Sequence, residues 1–289
     1  AHPYELKNIL KNWVRNKNQD LKVIPTDSIV IKVDKEAVRR SGMMIPGDSI
    51  PDYMHISLKG KRALYKSELM MLEMLSEANW ERPIYIAVSV GRENQLNMEN
   101  HFVQEGLAYR FTPFDTSKTG VTIDSEKMYD NLMNKFKFGG IDKPGIYMRM
   151  CHSHRRIFSQ LVQQLMREGK KDKAKAALDY AEKMIPAYNV PYDWQNGAVQ
   201  MAEAYYQLGE TAKADEMMKA LADKAVEYLT WYLSLDDNRF MISTREFEYH
   251  WAVLDAEVKA MKKYNSKLAE IYEPKVEELY NMYVDRMKE

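Results

Sequence analysis

The chain has 289 residues, roughly the length of two average domains. Its 45% hydrophobic and 29% charged residues exclude a disordered or low-complexity protein. The 42 basic and 42 acidic residues cancel, and neither half has the excess of positive charge that nucleic-acid binding requires. The single cysteine, Cys151, excludes an internal disulfide framework and a multi-cysteine zinc site.

The chain begins Ala1-His2-Pro3-Tyr4, without an initiator methionine. It contains neither a signal-peptide pattern nor an uninterrupted apolar run of about 18 residues that could span a membrane. From this beginning we expect a fragment excised from a longer protein.

Residues 1–145 alternate between helical and strand patterns, and this rhythm favours a small α/β or α+β domain. Helices are predicted on the face formed by Leu6, Ile9, Leu10 and Trp13, over residues 63–78, and from an N-cap at Asp124 to Gly139-Gly140. Strands are predicted at residues 29–33, 54–58, 83–90 and 107–111. The segment 83–90 is nearly all apolar, which predicts a central strand that is buried on both faces.

Strand patterns disappear after a boundary placed within residues 139–152, so residues 146–289 are predicted to form an all-helical domain. An internal repeat supports this interpretation. Leu165, Gly169, Ala174, Leu178, Ala181 and Pro186 recur as Tyr205, Gly209, Ala214, Met218, Leu221 and Val226. The intervals are typical of tetratricopeptide repeats, in which a glycine turn separates paired helices that touch at a small alanine. The 40-residue period exceeds the usual ~34 residues and indicates an insertion near Tyr188–Tyr192.

Three polar clusters are weaker candidates for chemistry. Cys151-His152-Ser153-His154 could begin a zinc site or supply a nucleophile and a base, but no second cluster completes the ligand set, and a helix entrance is favoured. Glu246 and His250 share a helix face without the second histidine of a metalloprotease motif. Asp236-Asp237 fits helix capping better than paired-acid catalysis. We therefore predict no metal site and no catalytic residue in this chain.

Two surfaces are candidates for ligand binding. For the loop after Val90 an ordinary connection is the favoured interpretation, and core packing also explains the aromatic residues of the helical domain. Arg92, Asn94 and Asn97 follow the strongest predicted strand, and open α/β sheets bind ligands beyond the carboxyl ends of their strands. No nucleotide-binding glycine motif occurs there, so no cofactor is expected. In the helical domain, the concave face of the repeats is expected to hold a peptide, with Tyr192, Trp194 and Tyr205 as candidate contacts.

Two stretches, 69–88 and 105–110, resemble part of a known family. They contain Asn79-Trp80, Arg82-Pro83 and Tyr85 at a characteristic spacing, and the likeness extends through 128–137 into 168–174. Over about residues 25–235 the chain resembles the carboxyl-terminal region of bacterial domain-of-unknown-function family 2723, whose multi-pass membrane proteins look like protein O-mannosyltransferases. Trp80, Arg82 and Tyr85 therefore join the candidate ligand-binding residues.

The resemblance implies a non-catalytic tail on the periplasmic side of the bacterial inner membrane. The amino-terminal membrane domain of the same polypeptide would carry the glycosyltransferase-like chemistry, and this chain would bind an acceptor polypeptide, a glycan acceptor or partner proteins. Two alternatives stay open: a stand-alone repeat adaptor that binds peptides, and an enzyme that uses the loop after Val90.

Overall fold

The computed structural model describes residues 2–47, 49–139 and 145–288. The chain divides into two compact units, Ala1–Asn131 and Leu132–Glu289. The first unit combines short strands with helices, and the described residues of the second contain helices joined by turns and loops, without a strand. The fold is therefore an α+β unit followed by helical repeats, as the sequence predicts. The boundary at residue 145 stays a prediction, since residues 140–144 lie outside the described residues.

Two small antiparallel sheets form the strands of the first unit. The first sheet pairs β1 (Ser28–Lys32) with β2 (Tyr53–Ser57). The second contains β3 (Tyr85–Ala87), β4 (Phe102–Gln104) and β5 (Ala108–Phe111) in the order β3-β5-β4. The predicted strands at 29–33, 54–58 and 107–111 are thereby confirmed within one residue at each end. The short strand β4 was not predicted.

The segment 83–90 is not the buried central strand that its composition predicts. Only Tyr85–Ala87 forms a strand, and it lies at the edge of the second sheet. Residues 84, 86, 88 and 90 are half-buried, while residues 85, 87 and 89 are exposed. This period of two is the pattern of a strand that covers the core with one face only. The apolar outward residues made the segment look buried on both sides.

The helices of the first unit are α1 (Leu6–Ile9), α2 (Lys35–Arg40), α3 (Lys66–Ala78), α4 (Thr116–Thr119) and α5 (Ser125–Asp130). α1 continues as a π-helical turn, Leu10–Val14, and α5 as another, Asn131–Lys135. Asp124 caps α5 as predicted, because its Oδ1 accepts a hydrogen bond from the Lys127 amide at 3.0 Å. The regular helix ends earlier than the predicted stop at Gly139-Gly140.

The core of the first unit joins the first sheet to α1 and α3. Ile29 and Ile56 pair across β1 and β2, and both are completely buried. Ile9 from α1 and Leu72 from α3 are equally buried. Each such side chain contributes roughly 1.5–3 kcal/mol through its removal from water.

The second unit is built from helical hairpins. Its helices are α6 (Met148–Arg167), α7 (Lys171–Met184), α8 (Ala198–Gln207), α9 (Thr211–Leu233), α10 (Asp237–Lys263) and α11 (Leu268–Arg286). α6 packs against α7 and α8, α8 against α9, and α10 against both α9 and α11. The predicted repeat corresponds to the hairpins α6–α7 and α8–α9.

The two repeats turn in the same way. Gly169 and Gly209 adopt left-handed φ angles of 72° and 79°. The amide of the residue after each glycine donates to a carbonyl five residues earlier, Lys170 to Leu165 and Glu210 to Tyr205, both at 2.9 Å. This arrangement is the Schellman turn, which requires a residue that tolerates positive φ. Ala174 and Ala214 follow, both completely buried at the helix contacts, as the repeat pattern predicts.

The predicted insertion lies between α7 and α8, over residues 185–197. It contains a 3-10 turn, Trp194–Asn196, and ends at Gly197 with a φ of 81°. A Cβ at Gly197 would lie 2.5 Å from the Cβ of Ser159 on α6. Both the backbone conformation and the close approach to α6 therefore require glycine at this position.

Candidate functional site

The predicted ligand loop after Val90 lies on the surface of the first unit. Arg92, Asn94 and Asn97 are exposed. Asn94 donates to its neighbour Glu93 at 3.1 Å, and Asn97 donates to the Ser57 carbonyl of β2 at 2.9 Å. The sheet beside the loop is antiparallel, so the rule that places ligands beyond parallel strands does not apply. The structure brings these three residues together without enclosing a site.

Trp80 is a core residue. It is 8% exposed, stacks on Phe111 at 5.5 Å between ring centroids, and donates its indole N–H to the Lys32 carbonyl at 2.8 Å. Arg82 is exposed, and the cavity that it shares with Trp80 holds only about 20 Å³. A volume near that of one water molecule leaves no room for an organic ligand in this cavity. Trp80 also borders a more open pocket of about 560 Å³, together with Leu6, Lys32 and Lys35.

Tyr85 is exposed, and its hydroxyl joins an ionic network around the buried Glu105 and Arg110. Its hydroxyl donates to Glu105 Oε2 at 2.9 Å, while Lys127 Nζ and Arg110 Nη1 lie 3.1 and 3.6 Å from Glu105 Oε1. Burial, and then the Glu105 carboxylate, raise the pKa of the Tyr85 phenol. The network joins β3 and β5 to α5, and a structural role accounts for it.

The predicted peptide contacts occupy three different environments. Tyr205 is only 1% exposed and donates its hydroxyl to Asp179 Oδ1 at 3.2 Å, so it belongs to the core and offers no surface to a peptide. The repeat pattern itself explains this, because Tyr205 stands where the first repeat has the buried Leu165. Tyr192 is half-buried and donates its hydroxyl to Glu182. Trp194 lines a cleft.

This cleft encloses about 370 Å³ within the helical unit. It lies between the turn at residues 193–195, the start of α6 and the facing surfaces of α9 and α10. Its lining residues are His152, Asp193, Trp194, Gln195, Leu221, Lys224, Ala225, Tyr228, Glu246, Tyr249, His250, Val253 and Glu257. We refer to this set as the α9–α10 cleft.

A buried arginine positions the turn that forms one wall of the cleft. Arg155 on α6 is completely buried, and its guanidinium donates to three carbonyls of the insertion: Ile185 at 2.5 Å, Val190 at 2.6 Å and Pro191 at 3.0 Å. It also lies 5.0 Å from the centre of the Tyr192 ring. An irregular backbone segment has few internal partners for its carbonyls, and a single guanidinium satisfies three of them here.

The electrostatics around Arg155 follow from burial. Loss of hydration lowers the pKa of the Arg155 guanidinium, and the nearby Glu182 carboxylate opposes this change. Burial raises the pKa of Glu182, which the Tyr192 hydroxyl and Arg155 counteract. The group is therefore a coupled cluster that holds residues 185–192 against α6 and α7.

An ion pair crosses the cleft from the turn to α9. Lys224 Nζ lies 2.7 Å from Asp193 Oδ2, and Asp193 Oδ1 accepts from the Gln195 amide at 2.9 Å. Burial raises the pKa of Asp193, but the Lys224 ammonium and the Gln195 amide outweigh it, and the pKa is lowered overall. The side chain of Gln195 extends across to the Tyr249 hydroxyl of α10 at 3.3 Å.

Aromatic rings form the opposite wall. The His250 ring lies 4.6 Å from Tyr228 and 5.1 Å from Tyr249, centroid to centroid. His250 Nδ1 is 2.8 Å from the Glu246 carbonyl, which only accepts, so this nitrogen carries a hydrogen. Tyr228 and Tyr249 are each 39% exposed.

Glu257 is the unusual member of the cleft. It is 1% exposed, and within the described part of the chain its Oε2 has no hydrogen-bond partner. Burial, and then the charge of Asp193, raise the pKa of Glu257 to about 8, while Lys224 opposes the shift. The carboxyl is therefore mostly protonated at neutral pH. A buried polar group without a partner destabilises the fold, and among the described residues that line the cleft Glu257 is the one that carries such an atom.

Sequence reasoning missed Arg155, Asp193, Lys224 and Glu257. One signal for Glu257 was present, because it lies three residues after Leu254 and four before Met261, both completely buried. A carboxyl on an apolar helical stripe is the pattern that marks a buried acid.

The other polar clusters have structural positions. Residues 151–154 lie in the first turns of α6, and Cys151 is a half-buried free thiol. Across residues 2–47, 49–139 and 145–288, no three metal-ligating side chains converge. Asp236 caps α10, since its Oδ1 accepts from the Arg239 amide at 3.1 Å, as predicted. His152 lines the cleft, and burial lowers its pKa, with further lowering from Arg155 and Lys224 and opposition from Asp193.

Residues 1–131 match the family model of TMEM260-associated domain 2. The match indicates an accessory domain of membrane proteins, and it does not confirm the resemblance to domain-of-unknown-function family 2723. No curated protein and no solved structure matches the chain. None of the helices in the described parts of the chain is long and apolar enough to cross a lipid bilayer. The α9–α10 cleft lies outside the matched residues.

We predict that Arg155→Met destabilises the chain by about 3 kcal/mol, because three carbonyls of the insertion lose their donor while the substitution keeps the apolar stem. Urea unfolding measures this loss. Amide hydrogen exchange should accelerate first over residues 185–196. The matched control is Arg156→Met, at the neighbouring exposed position, with an expected change within about 0.5 kcal/mol. Equal effects of the two substitutions would contradict the anchoring role.

We predict that Glu257 makes the chain less stable as the pH rises. The folded state retains a proton up to a pKa of about 8, whereas the unfolded state loses it near 4.5. Between these values the free energy of unfolding should fall by about 1.4 kcal/mol per pH unit because of this group.

Chemical denaturation at several pH values from 5 to 8 tests this dependence. The variant Glu257→Gln should lack the fall, so its advantage over the parent chain should widen with pH. Glu227→Gln, at an exposed position of α9, serves as the control and should follow the parent chain. Parallel curves for all three proteins would refute the prediction.

Proposed function

We propose that this chain is a non-catalytic accessory module of a membrane protein and that its helical unit binds polypeptide in the α9–α10 cleft. The observation that carries the proposal is the cleft itself, which combines aromatic rings with polar groups on a helical-repeat scaffold. Helical hairpins that stack side by side commonly present extended surfaces to peptides. The match of residues 1–131 to a TMEM260-associated domain supports the accessory role.

The shape and chemistry of the cleft fit a peptide segment. Trp194, Tyr228 and Tyr249 are partly exposed, rigid rings, the residue type that dominates binding surfaces because it offers a large contact area with few rotatable bonds. Gln195 and Asp193 lie on the adjoining turn, where amide and carboxylate groups can meet a peptide backbone. About 370 Å³ accommodates one or two side chains rather than a folded domain.

The proposal includes a location. We place the module on the periplasmic side of a bacterial inner membrane, attached to a glycosyltransferase-like membrane domain of the same polypeptide, where it holds an acceptor polypeptide. The sequence resemblance described above motivates this part. No cofactor takes part in it.

Membrane attachment is tested with an antibody raised against this chain. In cells that express the native gene, we expect a membrane-bound species much heavier than 33.9 kDa that added protease degrades in spheroplasts. A protein of the cytoplasm serves as the control for intact inner membranes. A species of about 33.9 kDa in the soluble fraction would overturn the attachment and leave the cleft to be tested independently.

Peptide binding is tested by selecting a library of random 12-residue peptides against the full chain. We expect enriched peptides whose affinity, measured by fluorescence anisotropy, falls at least tenfold with Trp194→Ala, because that ring lines the cleft. The matched control is Trp231→Ala, since Trp231 is 53% exposed on α9 and lies outside the cleft lining. No enrichment, or equal losses with both variants, would overturn the proposal.

A further inference from the structure

The α9–α10 cleft carries more negative than positive groups. Three carboxyl side chains line it, from Asp193, Glu246 and Glu257, against one lysine, Lys224. The ammonium of Lys224 is already paired with Asp193 at 2.7 Å. The two glutamates are therefore the acidic groups to which a new cation could bind.

Glu257 provides the observation that points to a ligand. The residue is only 1% exposed yet lines the cleft, and no described residue donates to its Oε2. A cationic donor that enters the cleft would supply both the missing hydrogen bond and the opposite charge. Charge-assisted hydrogen bonds of this kind are the strong ones.

The remaining walls favour a cation with an aliphatic stem. The rings of Tyr228 and Tyr249 line the cleft, and aromatic faces attract ammonium and guanidinium groups. Lys224 already makes a contact of this kind, because its Nζ lies 5.8 Å from the centre of the Tyr228 ring. Leu221 and Val253 add apolar surface against which the methylene groups of a long side chain can lie.

Other ligand classes fit less well. An anion would meet the carboxylate of Glu246 and could not give Glu257 the opposite charge. A metal ion lacks three converging ligands among the described residues. A purely apolar group would bury Glu257 further without giving Oε2 a partner, and that burial is unfavourable.

We propose that the α9–α10 cleft recognises a lysine or arginine side chain of the bound polypeptide, with Glu257 as its counter-ion. This inference rests on the proposed function and specifies which side chains of the bound polypeptide the cleft prefers. The cationic head lies against the Glu257 carboxylate, and the stem lies along Tyr228, Tyr249 and Val253.

Binding of the cationic side chain is coupled to the release of a proton from Glu257. In the free protein Glu257 carries a proton below pH 8, and the bound cation stabilises the ionised form, so binding releases this proton to solvent. The other charged and titratable groups that line the cleft are His152 of α6, Asp193 of the turn, Lys224 and Tyr228 of α9, and Glu246, Tyr249 and His250 of α10. Asp193, Lys224 and Tyr272 of α11 interact electrostatically with Glu257. The affinity for a cation should therefore rise from pH 6 to pH 8 and level off above it.

The experiment compares two small probes that share a four-carbon side-chain stem, Nα-acetyl-lysine methylamide and Nα-acetyl-norleucine methylamide, of which only the first carries an ammonium group. Binding to the full chain is followed by NMR through the indole signal of Trp194, which Trp194→Phe assigns. We expect the lysine probe to bind at least tenfold more tightly than the norleucine probe at pH 8. The arginine analogue should share the preference.

Two variants locate the effect. Glu257→Gln keeps the size and removes the charge, so it should abolish the preference for lysine, while Glu227→Gln on the exposed side of α9 should retain it. Because the pH dependence of the parent chain needs no variant, it tests the inference even where Glu257→Gln perturbs the fold. Calorimetry at pH 7 in two buffers of different ionisation enthalpy should show close to one proton released per lysine probe bound.

The outcomes separate this inference from the function on which it rests. Equal affinity for lysine and norleucine, no proton release, or a lysine preference that survives in Glu257→Gln would each overturn the cation site. If library peptides still bind and Trp194→Ala weakens them, peptide binding stands without it. A lysine preference without any enriched peptide would instead remove the polypeptide role and support a site for small amines.

Discussion

One buried cation, Arg155, holds the irregular segment of the helical unit in place. Arg155 is held inside the hairpin of α6 and α7, where its guanidinium donates to the carbonyls of Ile185, Val190 and Pro191. A buried charge is unfavourable unless hydrogen bonds replace its water, and buried carbonyls need donors. The three carbonyls give the guanidinium its acceptors, and the guanidinium gives the carbonyls their donor. These hydrogen bonds fix the path of the insertion between the two repeats. That path ends at Gly197, where the backbone approaches Ser159 too closely for any side chain.

The cleft follows from this anchoring. Once residues 185–192 are fixed, Asp193 points to Lys224 of α9 and Gln195 reaches Tyr249 of α10, so a turn outside the repeat pattern is tied to two long helices. The side chains that line the cleft come from α6, the turn, α9 and α10, which are distant in sequence. An insertion that lengthens the repeat therefore forms one wall of a cleft that a shorter repeat would lack.

Local patterns predicted much of the fold, and long-range burial explains what they did not predict. The glycine turns at 169 and 209, the buried alanines that follow them and the Asp124 cap depend on a few neighbouring residues, and each is confirmed. The buried strand expected at 83–90 is wrong, because apolar residues on its outward face hide the alternation of an edge strand. Tyr205 fails as a peptide contact for a related reason: a tyrosine can place its ring in the core and its hydroxyl on a carboxylate. The neighbouring residues in the sequence reveal neither the position of Arg155 between α6 and the insertion nor the lack of a hydrogen-bond partner at Glu257 Oε2 among the described residues.

Arg155 and Glu257 show why burial alone does not identify a functional group. Both are ionisable and almost completely buried. Arg155 makes three hydrogen bonds to one segment, so the fold itself explains it even though its Nε has no partner among the described residues. Glu257 lines an open cleft, and its Oε2 lacks a partner within the described residues. Neutralising such a carboxyl would stabilise the free protein, so the acid makes physical sense where a bound cation supplies the missing partner. Binding of a cation to the Glu257 carboxyl would then release a proton. This release would distinguish a recognition site from a carboxyl that is merely buried without a partner.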